Sequence, residues 1–270
     1  MSQPLFDAIQ HVGDQVAQAP HLLLCLNYDG TLSALAEQPQ EARLSPQMER
    51  VLLGLANHDT VSLAIISGRD RADLQSRVGI PNLFYVGNHG LEISGPGQLF
   101  VEPTAASHAD TLKQFVATLT AKLQPIEGVQ VEYKGLTVTV HYRQAPPERA
   151  EEIRKVVHAT LAGASHPFVL TTGPMAFEIR PRVYWSKGDA VKWIEEQLAK
   201  PGLLTIYVGD DQTDEDAFAA LPDAVTIKVG TEGETTAKYR VESPLEVRKF
   251  LEWLDATLRH EAPHSAGARV

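Results

Sequence analysis

Residues 22–32 read Leu22-Leu23-Leu24-Cys25-Leu26-Asn27-Tyr28-Asp29-Gly30-Thr31-Leu32. Five apolar residues in a row are the pattern of a strand buried on both faces, as in a parallel sheet covered by helices. The run ends in a polar turn, so Asn27 and Asp29 fall just past the carboxyl end of the strand. Open α/β sheets bind their ligands at that end. The same arrangement recurs along the chain. Val61 to Ile66 leads into Ser67-Gly68-Arg69, Leu83 to Val86 into Gly87-Asn88-His89-Gly90, and Leu203 to Val208 into Gly209-Asp210. Helical patterns at 5–18, 46–57, 70–77, 187–199, 214–220 and 244–259 separate these runs and a further strand, Val225 to Val229. The second helix follows Ser45-Pro46, a good N-cap and first-turn pair. Strand and helix alternate at the spacing of right-handed crossovers, so the fold class is α/β with a parallel-sheet core.

The pattern changes near residue 100. A helix at 108–124 precedes Val129 to Tyr133, the pair Lys134-Gly135, and Leu136 to Arg143, where apolar and polar residues alternate. Period-two alternation around a turn predicts an antiparallel pair with one open face. A helix at 147–161 and strands at 167–171 and 176–180 complete an αββαββ unit. We read residues 103–181 as an insertion, an α/β cap, between two core segments, 1–102 and 182–270. Residues 261–270 are polar and expected to be frayed.

Composition narrows the class. The chain has 270 residues, 43% of them apolar and 21% charged, which are ordinary values for a globular protein. No apolar run reaches the ~18–20 residues that span a bilayer, and no secretory signal is expected at the N-terminus. A net charge of −10 argues against a nucleic-acid partner. The lone cysteine, Cys25, sits in an apolar strand and fits a small core residue and a reducing cytoplasm. A cytoplasmic monomer acting on a small molecule is the expectation.

The strand ends carry chemistry. One Asp after a strand usually caps a helix. Asn27, Asp29, Ser67 and Asp210 together, with Gly30, Gly68 and Gly209 allowing close approach, describe a phosphate-handling crevice. A phosphate ester dianion repels anionic nucleophiles, and a hard divalent cation such as Mg2+ relieves that with oxygen ligands. The Asn27 side-chain oxygen, the Asp29 carbonyl and the Asp210 carboxylate are candidate ligands. Ser67 and Thr31 can donate to phosphoryl oxygens, and Lys187 adds a cation at a helix start. Asp29 is placed to serve as a general acid. Asp211 and Asp214 are candidates to hold Lys187 and the waters of the metal. His89 is read as structural.

These motifs resemble those of the haloacid-dehalogenase-like (HAD-like) phosphohydrolases, and within them the trehalose-6-phosphate phosphatases. The residues that carry the resemblance are Asn27-Tyr28-Asp29-Gly30-Thr31, Ile66-Ser67-Gly68-Arg69, Gly87-Asn88-His89-Gly90-Leu91-Glu92, Trp185-Ser186-Lys187-Gly188 and Gly209-Asp210-Asp211-Gln212-Thr213-Asp214-Glu215-Asp216. The match runs from about residue 20 to 255. It implies a HAD-like Rossmannoid core with a closing cap, Mg2+ as cofactor and trehalose 6-phosphate as substrate. Thr31, Gly68, Arg69 and Asn88 join the substrate-binding set, and Glu132, Lys134 and Glu178 become cap contacts to the distal glucose. Read from the residues alone, Lys134 could fill a hairpin turn, and Glu132 and Glu178 could be open-face strand residues. Position 27 departs from the pattern. The family attacks phosphorus with an Asp there, whereas a carboxamide is uncharged and a poor nucleophile. An altered enzyme, severely impaired in turnover, and a natural sugar-phosphate-binding chain without turnover both remain open. So does a phosphatase for another glycosyl phosphate.

Overall fold

The run at 22–26 lies inside the central strand of a nine-stranded sheet. A computed structural model describes residues 2–34, 41–163, 168–173 and 175–261. The tail at 262–270, expected to be frayed, lies outside them. The chain divides into two compact units, Met1–Leu99 with Ser186–Val270, and Phe100–Trp185.

The first unit opens with a two-residue strand, β1 (Gln3–Pro4), a 3-10 turn over Leu5–Ala8, and α1 (Ile9–Gln18). The single helix expected at 5–18 is therefore two pieces, because Ala8 takes φ −106° and ψ 9° and breaks the α geometry. Then come β2 (His21–Asn27), α2 (Pro46–Ala56), β3 (Val61–Ile66), α3 (Arg71–Val78) and β4 (Phe84–Gly87). A hairpin of β5 (Glu92–Gly95) and β6 (Gln98–Val101) follows.

The second unit contains α4 (Pro103–Ser107), α5 (Ala109–Leu123), β7 (Gln130–Tyr133), β8 (Val138–His141), α6 (Ala150–Ala162), β9 (Phe168–Gly173) and β10 (Ala176–Pro181). The chain then returns to the first unit with α7 (Lys187–Leu198), β11 (Leu203–Gly209), α8 (Gln212–Ala220), β12 (Val225–Val229), β13 (Tyr239–Val241) and α9 (Pro244–Glu261).

The large sheet has the order β1-β13-β12-β11-β2-β3-β4-β5-β6. Pairings from β1 across to β4 are all parallel, and β5 returns antiparallel on β4. All seven residues of β2 are buried. Leu22, Leu24 and Leu26 pack with Val12 and Val16 of α1, Leu52 and Leu55 of α2, and Phe250 and Leu254 of α9. Leu23 and Cys25 point the other way and are equally buried. On that side Tyr207, paired in register with Cys25, meets Phe218 of α8 edge-on. Helices on both faces explain why β2 reads as an unbroken apolar run.

Taken by itself, the second unit is a four-stranded antiparallel sheet in the order β7-β8-β10-β9. Val138, Val140, Phe177 and Ile179 pack with Leu112, Phe115, Ile153 and Val157 of α5 and α6. The alternate positions form a polar row in register, Glu132–Thr139–Glu178–Thr171. The two ends of the unit are tied together, with Phe100 stacked on Trp185 at 4.9 Å between ring centroids.

Helix α7 begins with a capping box. Ser186 Oγ accepts from the Asp189 N–H, and the Asp189 carboxylate accepts from the Ser186 N–H. Because α7 starts on Lys187, this cap fixes the first turn from which that side chain departs. Ser186→Ala is expected to cost about 1 kcal/mol, read as a Tm lower by ~2–4 °C in a melting curve. An unchanged Tm would mean that the box does not hold α7.

Candidate active site

The carboxyl ends of β2, β3 and β11 bring Asn27, Asp29, Ser67 and Asp210 together, and the start of α7 delivers Lys187. Gly30 lets the β2 turn approach β11. It has φ +77°, and a Cβ there would lie 2.1 Å from Asp210 Oδ2. Asn27 Nδ2 donates to the Asp29 carbonyl at 2.9 Å and to Asp210 Oδ1 at 2.8 Å. Thr31 Oγ1 donates to the same Asp210 oxygen at 2.8 Å.

Lys187, exposed at only 1%, is no surface lysine. Its Nζ donates to Asp214 Oδ1 at 2.8 Å, to Asp211 Oδ2 at 3.2 Å and to Asn27 Oδ1 at 3.3 Å. Burial alone would discharge it, but Asp211 and Asp214 hold its pKa above the ordinary lysine value. Asp211 keeps 42% of its side chain exposed, and although partial desolvation raises it, Lys187 and the Thr213 hydroxyl hold its carboxyl well below the usual range. Asp214 is raised by burial against the pull of Lys187. Both carboxylates have a structural task as well. Asp211 caps α8 by accepting from the Asp214 N–H, and Asp214 accepts from the backbone N–H of Asp210 and Asp211.

Asp29 faces a different cation. Arg69 donates to it through Nε at 2.8 Å and Nη2 at 2.7 Å, a bidentate pair, while its Nη1 reaches Asp73 at 3.0 Å. The guanidinium also lies 5.6 Å over the Tyr28 ring. Ser67 Oγ donates to Asp29 at 3.4 Å and accepts from the Arg69 N–H at 3.1 Å. Asn88, buried, donates to Glu92 at 2.6 Å. Asn88 and His89 both take positive φ, and the His89 ring sits where a Cβ on Gly68 would be, so this motif packs the turn after β3. Glu132, Lys134 and Glu178 belong to the second unit. Lys134 Nζ lies 3.7 Å from Glu178, and His141 Nε2 pairs with Glu132 at 2.8 Å.

Three residues escaped the sequence reading. Lys228 Nζ donates to the Asp210 carbonyl at 2.6 Å, and the Tyr207 hydroxyl to Asp214 at 2.8 Å. Each is a polar-tipped residue within an otherwise apolar strand, which was the available signal. Thr139 carries a buried hydroxyl without a hydrogen-bond partner among the described residues.

Charge decides what the crevice accepts. The Asp29–Arg69 pair is internally balanced, whereas Asp210, Asp211, Asp214 and Glu215 face Lys187 and Lys228 and leave two negative charges in excess. Burial, with Asp214 close by, pushes the Asp210 carboxyl up to about 6. An oxygen-only donor set with this excess fits a hard divalent cation. A cleft of about 490 Å3, lined by Gly30, Ala34, Asp210, Lys228 and Thr231 among others, opens beside it.

The trehalose-phosphatase family model matches residues 25–245. The chain is 40% identical over 275 aligned residues to the trehalose-phosphate phosphatase of Mycobacterium tuberculosis, covering 97% of this chain and 68% of that protein. The fold is shared with the C-terminal domain of Candida albicans trehalose-6-phosphate phosphatase. That match has a TM-score of 0.78 at 22% identity and covers 95% of this chain and 98% of that one. It is shared too with a haloacid dehalogenase-like hydrolase from B. subtilis, with a TM-score of 0.54, 17% identity, and 85% and 98% coverage. No helix among the described residues is long and apolar enough to cross a membrane.

The Asp210 shift has a pH signature. Below the ordinary value of 3.8 both folded and unfolded chains hold the proton, and Asp210 contributes nothing. Between that value and about 6 the unfolded chain ionises first, so the folded state loses stability as pH rises. The full shift corresponds to ~3 kcal/mol, discounted to roughly 1–2 for partial exposure and the hydrogen bonds lost on substitution. In metal-free buffer, Asp210→Asn is expected to be more stable than the parent by that amount at neutral pH and to converge with it near pH ~4. Urea midpoints at the two pH values check this. A gap that does not change with pH would remove ionisation of Asp210 as its cause.

Proposed function

The chain belongs to the trehalose-phosphatase family, and on that footing we propose that its ligand is trehalose 6-phosphate. The chemistry of the scaffold is then hydrolysis to trehalose and phosphate through a carboxylate at position 27. The observation that carries this reading is the convergence of Asn27, Asp29, Ser67, Lys187 and Asp210 at the carboxyl edge of the core sheet.

Mg2+ would be held by Asp210, the Asp29 carbonyl and the side chain at position 27. When bound, it neutralises phosphoryl charge that would otherwise repel an incoming nucleophile. Thr31 and Ser67, whose hydroxyls donate to Asp210 and Asp29 here, would turn from them to donate to phosphoryl oxygens. Lys187 fixes the side chain at position 27 and stays charged because Asp211 and Asp214 surround it. Asp29 donates the proton to the departing sugar oxygen, for which it has to leave Arg69. A carboxamide at 27 cannot form the acyl phosphate, so we place this chain as strongly impaired. The same observation, Asn27 with every neighbouring group in position, favours a second reading: a cytoplasmic monomer that binds the sugar phosphate and does not turn it over.

The cap supplies selectivity. The polar row Glu132–Thr139–Glu178, with Lys134 beside it, offers acceptors and donors suited to sugar hydroxyls.

Asn27→Asp is expected to raise turnover of trehalose 6-phosphate by roughly a thousandfold or more, measured as phosphate release with MgCl2. Equal rates in the two forms would show that position 27 is not the nucleophile. In that background, changing Glu132, Lys134 and Glu178 to alanine should lower kcat/KM for trehalose 6-phosphate by roughly ten- to a hundredfold. Hydrolysis of p-nitrophenyl phosphate should change far less. Equal losses on both substrates would assign these residues to folding or cap movement instead of sugar recognition.

A further inference from the structure

The Asn27 carboxamide makes contacts of two kinds, and they fix its orientation. Its nitrogen donates to the Asp29 carbonyl at 2.9 Å and to Asp210 Oδ1 at 2.8 Å, while its oxygen accepts from Lys187 Nζ at 3.3 Å. Turning the amide over would set its oxygen against two acceptors and its NH2 group against an ammonium. Only the observed orientation pairs every group. The two oxygens gripped by Nδ2 are the same two that, with the side chain at 27, would ligate a cation.

We infer that in this chain the Asn27 carboxamide takes the cation's place between the Asp29 carbonyl and the Asp210 carboxylate, supplying N–H donors and no charge. Its two N–H groups tie the Asp29 carbonyl to the Asp210 carboxylate, so the site is closed by the protein's own hydrogen bonds. This rests on the assignment of the cation site above.

The contrast with aspartate is one of charge. An aspartate at 27 would bring a charged oxygen against the Asp29 carbonyl and the Asp210 carboxylate, acceptor on acceptor, and would need a cation between them. The carboxamide removes that repulsion and replaces it with two donors. A cation using Asn27 Oδ1 must break both Nδ2 hydrogen bonds and the one from Lys187. A cation using only Asp29 and Asp210 must either displace Nδ2 from Asp210 Oδ1, which also accepts from Thr31, or settle on Oδ2 beside Gly30. In either case it meets a ligand set with one negative charge fewer.

The test compares the parent with Asn27→Asp, both stripped with EDTA and then titrated with MgCl2 alone. The parent's Tm is expected to stay put through millimolar Mg2+, whereas that of Asn27→Asp starts lower and rises by several degrees. Calorimetric Mg2+ affinity of the parent should be weaker by roughly ten- to a hundredfold. If Asn27→Asp does not stay folded in EDTA, side-chain amide NMR on the parent gives an independent readout. The Asn27 NH2 pair, assigned by its loss in Asn27→Ala, should exchange slowly with water and keep its shifts through the titration. A parent that binds Mg2+ as tightly as Asn27→Asp, or an Asn27 pair that moves with Mg2+, overturns the inference and leaves the cation site standing. No Mg2+ effect on folded Asn27→Asp overturns both.

Discussion

Lys187 departs from the first turn of α7 and buries its ammonium between Asp211 and Asp214 at the start of α8, with the oxygen of Asn27 as a further acceptor. Taking this charge out of water costs several kcal/mol, and the two carboxylates offset most of it, with the Asn27 oxygen adding a neutral acceptor. The carboxylates are themselves held by the N–H groups of the α8 N-terminus, where the helix dipole favours negative charge. One ion cluster therefore ties two helices to each other and to the end of the central strand. Removing the ammonium would leave the buried Asp214 carboxylate against that of the half-exposed Asp211, and removing either carboxylate would leave Lys187 underpaired.

The second constraint is the narrowness of the crevice. The turn after β2 and the end of β11 approach so closely that Gly30 lies where any side chain would strike the Asp210 carboxylate. Gly209 is under the same restriction from Asp214, whose Cγ would lie 2.3 Å from an added Cβ. These glycines bring backbone carbonyls and carboxylates within hydrogen-bond reach of position 27. Such crowding of oxygens is stable only with positive charge or N–H donors inserted among them. The Arg69 fork on Asp29, the Lys187 ammonium and the Asn27 amide each meet part of that need.

How legible this was depended on burial. The strands β2, β3, β4, β11 and β12 sit between two helical layers, so their sequences are mostly apolar, unbroken in β2, and could be read directly. The strands β1 and β13, of two and three residues, lie at one edge of the sheet, and Gln3-Pro4 and Tyr239-Arg240-Val241 carry no such run. The β5–β6 hairpin is short and only partly buried, and it escaped for the same reason. At the site, the strand-terminal positions of Asn27, Ser67 and Asp210 followed from the strand pattern. Asp211 and Asp214 were also legible as the groups that hold Lys187, but the partners of Asp29 and Asp210 were not. That Arg69 turns onto Asp29, that Lys228 reaches the Asp210 carbonyl, and that Lys187 is buried all depend on distances between segments far apart in sequence.

The burial of these groups also bears on what the intact motifs mean. Asp211 and Asp214 form the capping box of α8, Ser67 receives the Arg69 N–H, and His89 fills the space above Gly68. Each is required by the folded core whether or not phosphate is ever transferred. Their presence beside Asn27 is therefore no measure of turnover, because stability alone is sufficient reason to keep them. Position 27 differs from its neighbours in this respect. Its carboxamide keeps the shape of a carboxylate, keeps the contact to Lys187, and adds two donors where a carboxylate would add a charge. The surrounding oxygens accommodate an amide at this position without strain, so the integrity of the fold does not depend on a carboxylate at 27.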